Sequence, residues 1–252
     1  MRGATPGFQP DAAAPPASEA QVRSQVYTAM VAAFVTCLLV ADLTGSKFFR
    51  LPLFTVGSYE FVSHSVGMLS FPVTFLLTDL VNEYFGAASA RRATYIGLAC
   101  ALLAFGLIWV GRHMPVAPFS PVPQQAFESV FAMSNRLYVA SLTAYLVGQL
   151  CDIWVFGVLK RATGGRLVWL RATGSTVVSQ MLDSLLVTFL LFQGVAGPDG
   201  QPMPVGQIAT MAATGYILKF VLALGLTPLV YLGRWVMRAR FGLEPQPAAE
   251  RG

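Results

Sequence analysis

The sequence predicts an all-α integral membrane protein: a bundle of six transmembrane helices with both termini in the cytoplasm. Three observations predict it. Of 252 residues, 55% are hydrophobic and only 12% are charged, about half the charged share of a soluble globular domain. Six stretches stay apolar for about the 20 residues a helix needs to cross a hydrocarbon core of about 30 Å. The basic residues between those stretches sort to one side of the membrane. Too few charges are present to solvate a soluble body of 27.1 kDa, although the net charge is +5. That excludes a soluble enzyme, a disordered chain and a nucleic-acid-binding module.

Taken in order, residues 1–23 are mostly Ala, Pro and Gly with Arg2, Asp11 and Glu19 scattered among them. This is a disordered, low-complexity tail, without the basic start and short apolar core of a signal peptide. A six-helix domain over 24–240 follows. Its spans run from about Gln25 to Gly45, Val62 to Tyr84, Ala93 to Val110, Leu137 to Leu159, Ala172 to Ala196 and Gln207 to Gly233. They are continuously apolar and twice the length of barrel strands, so a β-barrel is excluded. Between spans three and four, Pro115, Pro118, Pro121 and Pro123 prevent a helix, and Gln124–Met133 then suits a short amphipathic helix with Phe127 and Phe131 on one face. Residues 241–252, with Pro245 and Pro247, form a second disordered tail.

With the N-terminus inside, twelve basic residues lie on inner segments, including Arg91, Arg92, Lys160, Arg161, Arg166, Arg171, Arg234, Arg238 and Arg240. Four (Lys47, Arg50, Arg112 and Arg136) lie outside. The basic runs abut span ends and anchor them against the lipid surface rather than binding nucleic acid. The surroundings that these spans imply are a lipid bilayer.

The informative residues are the ionisable ones inside the spans, since each is costly in hydrocarbon. Asp42 and Glu83 lie near span ends and can reach interfacial water. Asp152, Asp183 and Lys219 lie near the midplane, with Asp79 next. Span four carries Tyr145, Gln149, Asp152 and Phe156 on one helical face, and span five carries Thr176, Gln180 and Asp183 on another. Gln-x-x-Asp thus occurs twice on consecutive antiparallel helices. Interhelical hydrogen bonding alone accounts for any single one of these residues. The whole set at one depth suits a central pocket. Carboxylates there accept paired N–H donors, amides both donate and accept, and Tyr145, Tyr216, Trp154 and several Phe offer faces for a flat ring. A planar, neutral, nitrogen-rich heterocycle fits better than a sugar, lipid or metal ion. No metal or other cofactor is expected: His64 and His113 are isolated, and Cys37, Cys100 and Cys151 have no ligand spacing.

Several runs resemble the queuosine precursor transporters of the vitamin uptake transporter family. They are Ser70-Phe71-Pro72, Thr78-Asp79-Leu80-Val81-Asn82-Glu83-Tyr84-Phe85-Gly86, Ala90-Arg91-Arg92, Gly148-Gln149 with Asp152, Ser179-Gln180 with Asp183-Ser184, and Lys219 with Pro228 and Tyr231. The resemblance spans roughly residues 45–235 in the family's order. It implies an inner-membrane importer of 7-cyano-7-deazaguanine or 7-aminomethyl-7-deazaguanine for salvage into tRNA queuosine. Its substrate site would draw on Gln149, Asp152, Gln180, Asp183, Lys219 and Tyr145, with Asp79 and Glu83 in coupling or gating. Asp152 and Asp183 are equal candidates for gripping the amino-pyrimidine edge. The alternative is a substrate-capturing subunit of an energy-coupling-factor transporter for another heterocycle or vitamin, docking to its partner through Ala29 and Ala33 on span one. A homo-oligomer is equally open. An enzyme is not expected, because no nucleophile stands beside a base and no phosphate loop is present.

Overall fold

Ser18 starts the first helix. Its backbone is extended (φ −62°, ψ 152°) and its hydroxyl accepts a hydrogen bond from the Gln21 amide at 3.3 Å, satisfying one of the first turn's free donors. Glu19 adds a carboxylate where the helix dipole favours one. Helix α1 therefore runs Glu19–Thr44, ahead of the expected start near Gln25, and the last residues assigned to the tail are helical. The computed structural model describes residues 18–49, 55–56, 59–60, 64–131, 135–195 and 201–247. The remainder of the N-terminal tail, and residues 248–252 of the C-terminal one, lie outside the described residues.

Between the first two helices the chain makes two small antiparallel ladders. Strand β1 (Phe48–Phe49) pairs with β4 (His64–Ser65), and β2 (Thr55–Val56) with β3 (Tyr59–Glu60). The second span thus begins later than Val62, which itself lies outside the described residues. Helix α2 starts at Gly67. A Cβ there would lie 2.3 Å from the Ala41 carbonyl oxygen, so only glycine lets the two backbones meet at this end of the bundle.

Helix α2 runs Gly67–His113, 47 residues, or about 70 Å at 1.5 Å per residue. It is not one rod. Gly86 interrupts it with φ 82° and ψ 166°, a conformation essentially confined to glycine, and the chain doubles back there. Along α4 (Asn135–Ala162), the first limb pairs Thr74 with Gln149, Asn82 with Ile153 and Glu83 with Lys160, so both numberings rise together. The second limb pairs Thr94 with Tyr145 and Ala101 with Tyr138, so one rises as the other falls. Residues 67–84 of the expected second span lie on the first limb and the expected third span lies on the second. The expected short helix forms as α3 (Gln124–Phe131), its Phe127 and Phe131 ring centroids 4.7 Å apart. Met133, expected at its end, lies outside the described residues.

Helix α5 (Val168–Phe192) runs antiparallel to α4, with Ser179 against Asp152 and Gly174 against Leu159. Helix α6 (Val205–Phe241) returns along α5 through Thr227–Thr173 and Lys219–Asp183. Among the described residues, five helical segments, those containing α1, α2, α4, α5 and α6, are long and apolar enough to cross a membrane. Their outer surface is apolar: Trp154 is 66% exposed, and Leu107 and Trp235 are 64% exposed, as lipid contact requires and water does not tolerate. Trp154 therefore points away from the bundle and offers no ring face to an interior ligand, contrary to the expectation from sequence.

The break at Gly86 frees the carbonyls of the preceding turn, and three groups take them. Arg23 donates to Tyr84 O at 2.7 Å, Lys160 Nζ to Glu83 O at 3.3 Å, and the Gln246 amide to Glu83 O at 2.9 Å. Gln246 reaches it because Gly242 turns the chain out of α6 (φ 63°) and Leu243 buries among Val26, Met30, Leu80 and Tyr84. Residues 242–247, expected to be part of a free tail, are thus docked across this end of the bundle.

Candidate functional site

Gln149 and Asp152 on α4 and Gln180 and Asp183 on α5 face one another across a narrow seam, and all four are buried. Small residues allow it: a Cβ on Gly148 would lie 3.4 Å from Asp183 Cβ. The Ser179 hydroxyl donates to Asp152 Oδ1 at 3.0 Å, and Gln149 Nε2 to Thr74 Oγ1 at 3.4 Å. Asp79, on the first limb of α2, is buried beside Asp152. Buried polar atoms are nearly always hydrogen-bonded. Among the described residues, Asp79 Oδ1, Gln149 Oε1, Asp152 Oδ2, both amide atoms of Gln180 and Ser184 Oγ have no partner. The seam carries free hydrogen-bonding capacity that helix packing does not use.

At the end of this seam opposite Glu83, towards the ends of α1 and α5 and the starts of α2 and α6, lies a cavity of about 350 Å³, within the size range of small-molecule sites. Its walls include Asp42 from α1, Phe71 from α2, Ser141 from α4, Asp183 and Ser184 from α5, and Lys219 from α6. Lys219 Nζ donates to Asp183 Oδ2 and stands 6.0 Å from the Phe71 ring centroid. Carboxylate, ammonium and aromatic face thus converge on one space. Of the residues expected to bind substrate, Asp183 and Lys219 line this cavity. Gln149, Asp152 and Gln180 sit deeper, towards Glu83. Tyr145 sits apart: its hydroxyl donates to Thr94 O at 2.9 Å, and its ring packs with Phe34 and Leu38. Tyr216 packs near Phe220, with centroids 6.2 Å apart.

Glu83 was expected at interfacial water and is instead only 3% exposed. Its carboxylate accepts from Arg171 and pairs with Lys160 at 3.1 Å and Arg234 at 3.9 Å. One acid from α2 thereby ties down α4, α5 and α6 at the end of the bundle opposite the cavity. Sequence reasoning assigned these bases to lipid anchoring. Their position at three span ends was visible, but the partner lies 77 residues before Lys160 and 88 before Arg171, beyond any local pattern. Asp42 and Phe71 were not expected to share a cavity with Asp183; Phe71 had a hint in the Ser70-Phe71-Pro72 run, and Asp42 had none.

Residues 65–233 match the model of the family described as "Putative vitamin uptake transporter". The chain belongs to the vitamin uptake transporter family. The matched stretch contains the whole Gln149–Asp152–Gln180–Asp183 seam, Lys219, Asp79 and Glu83, and leaves out Asp42. A relative from Bacillus subtilis (strain 168), named a probable queuosine precursor transporter, is 29% identical over 171 residues, 68% of this chain and 71% of its own length. One from Haemophilus influenzae with the same name is 31% identical over 169 residues, 66% of each chain. The queuosine precursor transporter of Escherichia coli (strain K12) is 32% identical over 171 residues, 68% of this chain and 72% of its own. No solved structure matches the chain. With its long apolar helices, this family member is a multi-pass protein of the bacterial inner membrane.

Proposed function

We propose that the chain imports queuosine precursors, 7-cyano-7-deazaguanine and 7-aminomethyl-7-deazaguanine, and performs no catalysis. The observation that carries this reading is the cavity walled by Asp183, Lys219 and Phe71 in a chain similar to three relatives named for queuosine precursors. A deazaguanine ring presents an N–H and an exocyclic amine side by side, and a carboxylate accepts both in parallel. Asp183 takes that edge, Lys219 neutralises it in the empty site, and Phe71 offers its face to the ring. Gln149, Gln180 and Asp152, with their unpartnered atoms, receive the ring as it moves inward.

The chain crosses the membrane six times with both termini cytoplasmic. Two observations support this: the limbs of α2 run in opposite directions along α4, and the basic residues collect at the Glu83 end. The cavity then opens outward and the Glu83 cluster closes the cytoplasmic end. Asp79, with one oxygen unpartnered, carries the coupling proton; uptake indifferent to a protonophore contradicts that step. Asp183→Ala and Gln149→Ala each abolish precursor uptake while the protein still reaches the membrane. Normal uptake by both variants overturns the site.

A further inference from the structure

Three titratable side chains line the outer cavity: Asp42, Asp183 and Lys219. Lys219 and Asp183 pair with each other, so their charges cancel within the wall. Asp42 is left over. No Lys, Arg or His among the described residues stands within ion-pairing distance of it, and its Oδ2 is buried with no hydrogen-bond partner. Its main chain is fully used, the Asp42 carbonyl accepting from the Gly45 amide at 3.2 Å, so helix capping does not explain the side chain. On its far side Asp42 lines a small apolar space with Phe105, Ile108 and Tyr138, which supplies no cation. A carboxylate oxygen shielded from water without a partner is unfavourable, and a packing role for this position would be met by a neutral side chain. Among the described residues, the cavity wall therefore carries one carboxylate that no base neutralises, with an aromatic face, Phe71, in the same wall.

We propose that Asp42 binds a primary ammonium on the substrate, so that the site selects a flat heterocycle carrying an aminomethyl cation over its neutral counterpart. This deepens the transport reading above and rests on it. An ammonium brings three donors and a positive charge, which together satisfy the unpartnered oxygen and pair with the carboxylate. Asp183 holds the opposite, amide-like edge of the same ring. Of the two precursors, the 7-aminomethyl compound has the ammonium and the 7-cyano compound does not, so the first is the preferred cargo.

The test uses the full chain reconstituted in liposomes with each labelled precursor in turn. Wild type moves the aminomethyl compound with kcat/KM about tenfold or more above the cyano compound, the range expected for one charge-assisted hydrogen bond. Asp42→Asn collapses that ratio towards one, and Asp42→Glu restores part of it. An unchanged ratio in Asp42→Asn, or wild-type preference for the cyano compound, overturns the proposal while leaving transport intact. Equal loss of both compounds in Asp42→Asn assigns a structural role and also overturns it. Wild type that moves neither compound overturns the transport reading itself, and this proposal with it.

Discussion

Removing Glu83 exposes how the closed end of the bundle is held. In Glu83→Ala, Arg171, only 1% exposed, and Lys160, 9% exposed, lose the carboxylate that neutralises them. Breaking a buried pair from one side costs about 3–5 kcal/mol, because the stranded charge stays buried. Arg234 contributes far less: its side chain is 28% exposed and its nitrogen is 3.9 Å from Glu83, a half-wet pair worth about 0–1 kcal/mol. The perturbation therefore has an internal control. Reversible unfolding in mixed micelles should show Glu83→Ala and Arg171→Ala destabilised by about 3–5 kcal/mol and Arg234→Ala by about 1 kcal/mol or less. A Glu83→Ala protein within about 1 kcal/mol of wild type, or an Arg234→Ala loss as large as that of Arg171→Ala, refutes the buried latch.

Gly97→Ala places a Cβ 2.6 Å from Tyr145 Oη and 2.7 Å from Phe34 Cε1, so it should destabilise by about 1–3 kcal/mol through overpacking, read in the same unfolding assay. Tyr145→Phe removes the bond to Thr94 O and should lower stability by about 0.5–1.5 kcal/mol while precursor uptake persists; loss of uptake at normal stability would return Tyr145 to the binding site. Leu243→Ala should cost about 2–5 kcal/mol as a buried truncation and speed proteolysis after Phe241; no change on either measure means the C-terminal segment is not docked.

The helices were legible because lipid imposes a long, uniform apolar run that no side-chain detail can hide. Their ends were less so. Ser18 and Glu19 lengthen α1 by capping, a local signal outweighed in sequence by the surrounding Ala and Pro. Leu243 looked like a lone apolar residue in a Pro-rich tail, and only the groove beside Val26, Met30 and Tyr84 gives it a place. The Gln-x-x-Asp repeat could be read from helical spacing, since residues three and four apart share a face. Which members line the cavity could not, because that depends on how far α6 stands from α4. Glu83 is the clearest case: hydropathy placed it at a span end, but its burial depends on three bases from three other helices.

The most direct measurement is uptake of labelled 7-aminomethyl-7-deazaguanine and 7-cyano-7-deazaguanine by liposomes containing the purified chain alone, wild type beside Asp183→Ala. Wild type should accumulate precursor, with unlabelled precursor competing and a small vitamin not, and Asp183→Ala should fall to the level of empty liposomes. No uptake by wild type, or equal uptake by the two proteins, contradicts the assignment of the Asp183–Lys219 cavity as the transport site.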